Sequence, residues 1–184
     1  MNRAAATAAI DAFLRALGRD PESEPELVGT PQRVAAAYID ELLSGYAVDV
    51  DAILAANVLS GTSSTVVVRD IRVSTMCPHH LLPGIGTANV AFRPEGKLVG
   101  FGAIVQMVDA FSKRLVLQEA LGEEIVASLR KHLSPRWIAC RIELTHGCMV
   151  ARGEEAHGSQ VETFSFRGTD ADRAEAMMAV RSTL

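Results

Sequence analysis

The stretch T-V-V-V-R-D-I-R-V-S-T-M, residues 65–76, is where the period of this chain changes. Val66 and Val68, then Ile71 and Val73, alternate with polar neighbours, which predicts a strand with a bulge near Asp70. Downstream, strand patterns follow at 87–92, 97–101, 137–148 and 161–167, with a turn at Arg93-Pro94-Glu95-Gly96. Helices are predicted at 103–112, 116–133 and 170–181, the second burying Ile125, Leu129 and Leu133. Upstream, Ile10, Phe13, Leu14 and Leu17 share one side of a first helix, and Asp20-Pro21 breaks it. Thr30-Pro31 opens a second helix, with Thr30 as the cap and Val34, Tyr38, Ile39 and Leu42 as its apolar stripe. A short third helix is expected at 51–59, closed by Gly61. This order predicts an α+β fold: a helical N-terminal region, then a mainly antiparallel sheet with helices packed on one face.

The chain has 184 residues, enough for one domain with a sizeable core. Eighteen Lys and Arg against 22 Asp and Glu give a formal charge of −4, which argues against a nucleic-acid partner. Three cysteines, an odd number, do not make a disulfide framework and fit a reducing, cytoplasmic compartment. Asp11 and Arg15 interrupt the N-terminal apolar residues, so that stretch reads as a helix and not as a signal peptide. No run of eighteen apolar residues suggests a membrane span.

Two short stretches carry the chemistry. Cys77-Pro78-His79-His80 has the C-x2-H spacing of a metal half-site, and Pro78 stiffens the turn between the ligands. Adjacent side chains diverge, so His79 points away from an ion held by His80. His146-Gly147-Cys148 ends the strand pattern at 137–148, where period two places Cys140, Ile142, Leu144, His146 and Cys148 on one face. Thiolate and imidazole together favour zinc over magnesium or calcium. Cys140 alone is a core residue. Cys77, His80, His146 and Cys148 make either a closed four-ligand structural site or three ligands and a water, and spacing does not decide between them.

The stretches STMCPHHLLPGIG, FSKRLVLQEAL and THGCMVARG, in this order, resemble the GTP cyclohydrolase I family. TPQRVAAAY near residue 30 resembles its helical N-terminal region, and the likeness runs from about residue 29 to 168. The resemblance implies a T-fold catalytic domain at 63–184 after a helical region at 1–62, assembled as a toroidal homo-oligomer, a decamer. It implies Cys77, His80 and Cys148 as ligands of Zn2+, with water in the fourth position. His79 and His146 become the acid/base imidazoles, Gln118 and Glu119 the purine-binding pair, and Arg33 and Arg152 phosphate contacts. The partner is then a small-molecule purine or purine nucleotide. The family reaction converts GTP and water to 7,8-dihydroneopterin triphosphate and formate, opening the imidazole ring at C8. The chemistry fits: zinc brings the pKa of water towards neutrality, and a histidine moves protons near pH 7.

Four positions depart from the family pattern. Pro78 replaces an acidic residue, and Gly102, Ala103 and Gln106 stand where the family has Ser, Lys and Arg. Charge-assisted hydrogen bonds are worth about 1.5–3 kcal/mol each, so losing two costs about 3–6 kcal/mol. Lys113 and Arg114 lie nearby, either as compensating cations or as ordinary solvated helix charges. The erosion falls on triphosphate and ribose positions while metal, acid/base and purine positions stay intact. This suggests a less phosphorylated or free-base substrate, with the reaction stopping after ring hydrolysis. A reading of another class is a non-catalytic, zinc-stabilised binding or regulatory subunit. The T-fold nitrile reductases, with a cysteine nucleophile, lack the C-x2-H and H-x-C pair retained here.

Overall fold

The computed structural model describes residues 1–152 and 158–181, which form two compact units, Met1–Ser44 and Gly45–Leu184. In the first unit, helix α1 (Arg3–Ala16) is capped by Asn2, whose side chain accepts from the Ala5 amide at 3.0 Å. Helix α2 (Thr30–Ala36) starts differently from expectation. Gly29 at φ 76° is the cap residue, and Thr30 is already helical. The Thr30 hydroxyl accepts from Arg33 instead of capping the turn. A π-helical stretch, Ala37–Leu42, prolongs α2 and ends where the Leu43 amide reaches back to the Tyr38 carbonyl.

In the second unit, α3 (Val50–Ala56) is capped by Asp49 and stops at Asn57, short of the expected end. Val58–Ser60 then forms β1, antiparallel to β4 (Lys97–Val99). The main sheet is antiparallel, in the order β2 (Val66–Met76), β3 (Pro83–Arg93), β5 (Trp137–His146), β6 (Val161–Arg167). The β2–β3 register shifts between Val68 and Ile71, with Asp70 at φ 52°, the bulge expected from the broken alternation.

Strand β3 begins four residues earlier than its apolar pattern suggests, because Gly84 and Gly86 weaken the β signal. Close approach explains the second glycine. A Cβ on Gly86 would lie 2.0 Å from the Glu143 carbonyl oxygen of β5. Helices α4 (Phe101–Ser112) and α5 (Gln118–Leu133) cover one face of the sheet. Ile104, Met107, Leu121, Ile125 and Leu129 pack there with Val73, Val90, Cys140 and Ile142. The last helix, α7 (Asp170–Ala179), sets Ala176 and Val180 against Trp137, Ala139 and Ala91 on the opposite face. Among the described residues no helix is long and apolar enough to cross a membrane.

Helix α7 opens with a capping box between Thr169 and Asp172. The Thr169 hydroxyl and amide and the Arg136 guanidinium hold the Asp172 carboxyl below its ordinary pKa. A lowered folded pKa stabilises above the unfolded value of about 3.9 and is lost as pH falls through the folded one. Asp172→Asn is therefore expected to lower Tm by a few degrees at pH 7, with the gap closing below about pH 4. Melting followed against pH checks this. Gly86→Ala, facing an immovable carbonyl, is expected to cost about 3 kcal/mol in chemical denaturation.

Candidate functional site

The residues of interest meet at one end of the sheet, where β2 stops, β3 starts and β5 stops. Antiparallel pairing sets Met76 opposite Pro83 and Gly84 opposite His146. The loop between β2 and β3 is closed by two backbone bonds. The Cys77 amide donates to the Leu82 carbonyl at 3.0 Å, and the Leu81 amide donates to the Cys77 carbonyl at 2.9 Å. The second bond makes a single helical turn, which brings side chains three apart to one side. Cys77 and His80 accordingly converge, with Sγ 3.8 Å from Nδ1. The His79 ring is exposed and lies edge-on to that of His80, at 77°. Leu81 holds this loop at φ 53°, a left-handed conformation that costs a non-glycine residue about 1–2 kcal/mol.

Cys148 departs from the sequence expectation. Strand β5 ends at His146, and Gly147–Val150 forms one helical turn, α6, so Cys148 is not on the period-two face. It reaches the loop from that turn. The ligand atoms of Cys77, His80 and Cys148 lie within 4.8 Å of one another, and these residues could hold a metal ion. A tetrahedral zinc with ordinary Zn–S and Zn–N bonds needs donors about 3.5–3.8 Å apart, so the Cys77–His80 pair fits as it stands. Burial and the facing Cys77 sulfur push the Cys148 thiol above its ordinary pKa. A metal binds the thiolate, so a cation taken up between these two sulfurs would displace the thiol protons. Cys140 sits in the core, its thiol pushed up to about 12 by burial.

His146 stands outside this donor group, and a hydrogen-bond network explains why. Gln118, the first residue of α5, is brought here because the Val116 amide donates to the Met76 carbonyl. Its side chain is only 3% exposed. The amide nitrogen donates to the Ile142 and Val161 carbonyls at 3.0 and 2.9 Å and lies 3.2 Å from the Thr163 hydroxyl. That fixes Oε1 towards His146 Nε2, at 2.8 Å. An acceptor there assigns the ring proton to Nε2 and leaves the Nδ1 lone pair open. Gly84 makes room for the ring, since a Cβ on it would lie 3.1 Å from Nδ1.

A cavity of about 210 Å3 borders these groups, lined among others by Thr75, Cys77, Glu119, His146 and Cys148. Larger hollows lie elsewhere, one of about 430 Å3 beside Asp51 and Arg114, but their walls carry no thiol or imidazole. The expected Gln118–Glu119 pair divides here. Gln118 is committed to the sheet and to His146, whereas Glu119 is exposed at the cavity wall. Thr75 was not singled out in the sequence. It continues the inward alternation Ile71, Val73, Thr75, a polar residue ending an apolar face.

The cations expected to meet phosphate are placed as follows. Arg152 is exposed just after α6, and Gly153, next in the motif, lies outside the described residues. Arg33 belongs to the first unit, where it donates to the Val28 carbonyl and the Thr30 hydroxyl. Ala103 is 4% exposed, within the core, and Gln106 is exposed beside Arg69 and Arg72. Both expected substitute cations are engaged. Lys113 pairs with Asp109 at 2.9 Å, and Arg114 covers the Phe111 ring and donates to the Gly45 carbonyl.

Comparison with known proteins places this geometry. The family model described as GTP cyclohydrolase I matches residues 6–183. The chain is 39% identical to GTP cyclohydrolase 1 of Bartonella henselae over 180 residues, covering 95% of this chain and 86% of that protein. It is 40% identical to the Allorhizobium ampelinum enzyme of the same name, over 91% of this chain and 83% of that one. The archaeosine synthase QueF-like structure, in its apo form, superposes with a TM-score of 0.50 at 18% identity, covering 59% of this chain and 98% of that one. The last likeness concerns the fold alone, a T-fold. On the motifs, the whole-length family match and the close relatives, the chain belongs to the GTP cyclohydrolase I family.

Proposed function

We propose that this protein is a zinc-dependent cyclohydrolase that opens the imidazole ring of a guanine-type purine at C8. The observation that carries it is the separation of roles at the sheet end. Cys77, His80 and Cys148 form the donor set, while His146 is held out of it by Gln118. Three protein ligands leave a fourth position open, as in catalytic zinc sites. Zinc bound there supplies Lewis-acid activation of water at neutral pH. His146, its Nε2 proton committed to Gln118, accepts a proton at Nδ1. His79, exposed in the loop, is the second imidazole for proton transfer to the ring nitrogen. Glu119 accepts from the N1–H and 2-amino groups of guanine, which sit side by side and suit one carboxylate.

The 210 Å3 cavity is below the roughly 300–1,000 Å3 of pockets that enclose a whole ligand. It covers a base and leaves sugar and phosphate to groups beyond it, among which Arg33 and Arg152 are assigned. Edge strands β2 and β6, and exposed Phe101 at 64%, support closure by further copies of the chain. The assignment is a toroidal homo-oligomer, a decamer, in the cytoplasm, with residues 63–184 as the catalytic domain.

One set of observations favours a second reading of the substrate. Ala103 is buried, Gln106 carries no charge, and Lys113 and Arg114 are already engaged. A triphosphate loses two expected cations, and the two expected substitutes, Lys113 and Arg114, are committed elsewhere. The substrate of this reading is a less phosphorylated or free-base guanine-like compound, with the product released after ring hydrolysis.

Zinc-loaded protein offered GTP, GMP, guanosine, guanine and 8-oxoguanine, with formate and ultraviolet spectra followed, tests both. Formate release that stops on chelation is expected. The substrate preference and the presence or absence of the pterin chromophore choose between the two readings. No formate from any of the five rejects the cyclohydrolase assignment. His146→Ala is expected to keep its zinc and lose about 10²–10⁴ in kcat. Cys77→Ala is expected to lose the zinc itself, read by metal analysis.

A further inference from the structure

Resting on the purine assignment above, we propose that the Thr75 hydroxyl is a ligand contact, hydrogen-bonding a polar ring atom of the bound purine. Thr75 is the penultimate residue of β2, two before Cys77, and is 3% exposed. Its Oγ1 is buried and has no hydrogen-bond partner among the described residues. Buried hydroxyls are nearly always paired, so an unpaired one at a functional site calls for an explanation.

The surroundings narrow that explanation. Thr75 forms part of the wall of the cavity that also borders Cys77, Glu119, His146 and Cys148. Its methyl faces β3, 3.3 Å from where a Cβ on Gly84 would sit. A β-branched side chain is stiff at χ1, so packing the methyl against β3 fixes where the hydroxyl points. The Gln118 amide, on the same cavity wall, has its nitrogen engaged by the sheet and its oxygen by His146, and cannot turn to serve Thr75 without releasing them. What remains is an atom that arrives in the cavity. A hydroxyl both donates and accepts, so it suits a guanine edge that offers both. Glu119 alone, an acceptor, cannot satisfy the acceptor atoms of that ring. Thr75 is therefore a specificity-determining residue on the wall.

An unpaired hydroxyl predicts effects of opposite sign on fold and ligand. Thr75→Val, of the same shape, is expected to leave the ligand-free Tm equal to or above the unsubstituted protein, with full zinc content. The same variant is expected to raise the Kd for guanine by calorimetry, and KM more than it lowers kcat, by about tenfold. Thr75→Ser, which keeps the hydroxyl, is expected to stay within about threefold. Unchanged guanine affinity in Thr75→Val overturns the proposal and leaves the cyclohydrolase assignment standing. So does a loss in Thr75→Ser as large as in Thr75→Val, which would make the methyl, and not the hydroxyl, the relevant group. If Thr75→Val does not fold, Thr75→Ala takes its place in the same comparison with Thr75→Ser. A zinc-loaded unsubstituted protein that binds and turns over no purine overturns both assignments together.

Discussion

The pairing of Gly84 with His146 is the constraint on which the site depends. It fixes the register of β3 against β5, and a slip of one residue would turn His146 to the other face of the sheet. It sets the hairpin loop that carries Cys77 and His80 beside the turn that carries Cys148. It also places the ring of His146 over a residue without a side chain, where the ring can meet Gln118 from α5. Residues far apart in sequence are thus assembled by one strand register and one helix start. None of them relies on a long flexible loop for its position.

The legible parts of this architecture are those written in local period. The alternation over Val66–Met76, its break at Asp70 and the inward face Cys140, Ile142, Leu144 translate directly into strands. The start of β3 is hidden because glycine, which close strand approach demands at Gly86, is a poor strand former by composition. Strand β1 is too short for any period to show. Cys148 follows the alternation of β5 on paper, yet the strand stops two residues before it and a helical turn begins. The hydrogen bonding of Gln118 is beyond reading in another way. Its partners lie on β5 and β6, 24 to 45 residues away, and only the folded sheet brings their carbonyls to its amide.

The charge distribution shows the same dependence on context. In sequence, Lys113 and Arg114 look like free cations close to the altered Gly102–Gln106 segment. Folded, one neutralises Asp109 on its own helix and the other lies over an aromatic ring. Ala103, which by motif alone marks a missing lysine, is also a packing position in the core beneath α4. Loss of charge and a tight core coincide at one residue, so the two cannot be varied independently there.

The placement of Cys148 on a turn and of Cys77 and His80 on a hairpin loop has a mechanical side. A cation shared by them ties together two segments separated by about 70 residues of chain, and closing a loop of that length removes much of the freedom of the unfolded polymer. An ion held there would be a cross-link as well as a reagent. It would fasten the open end of the sheet, where β2 and β3 diverge into the loop and β5 has run out of ladder. The strained Leu81 conformation and the two facing thiols are tolerated at the point where such a fastening is made.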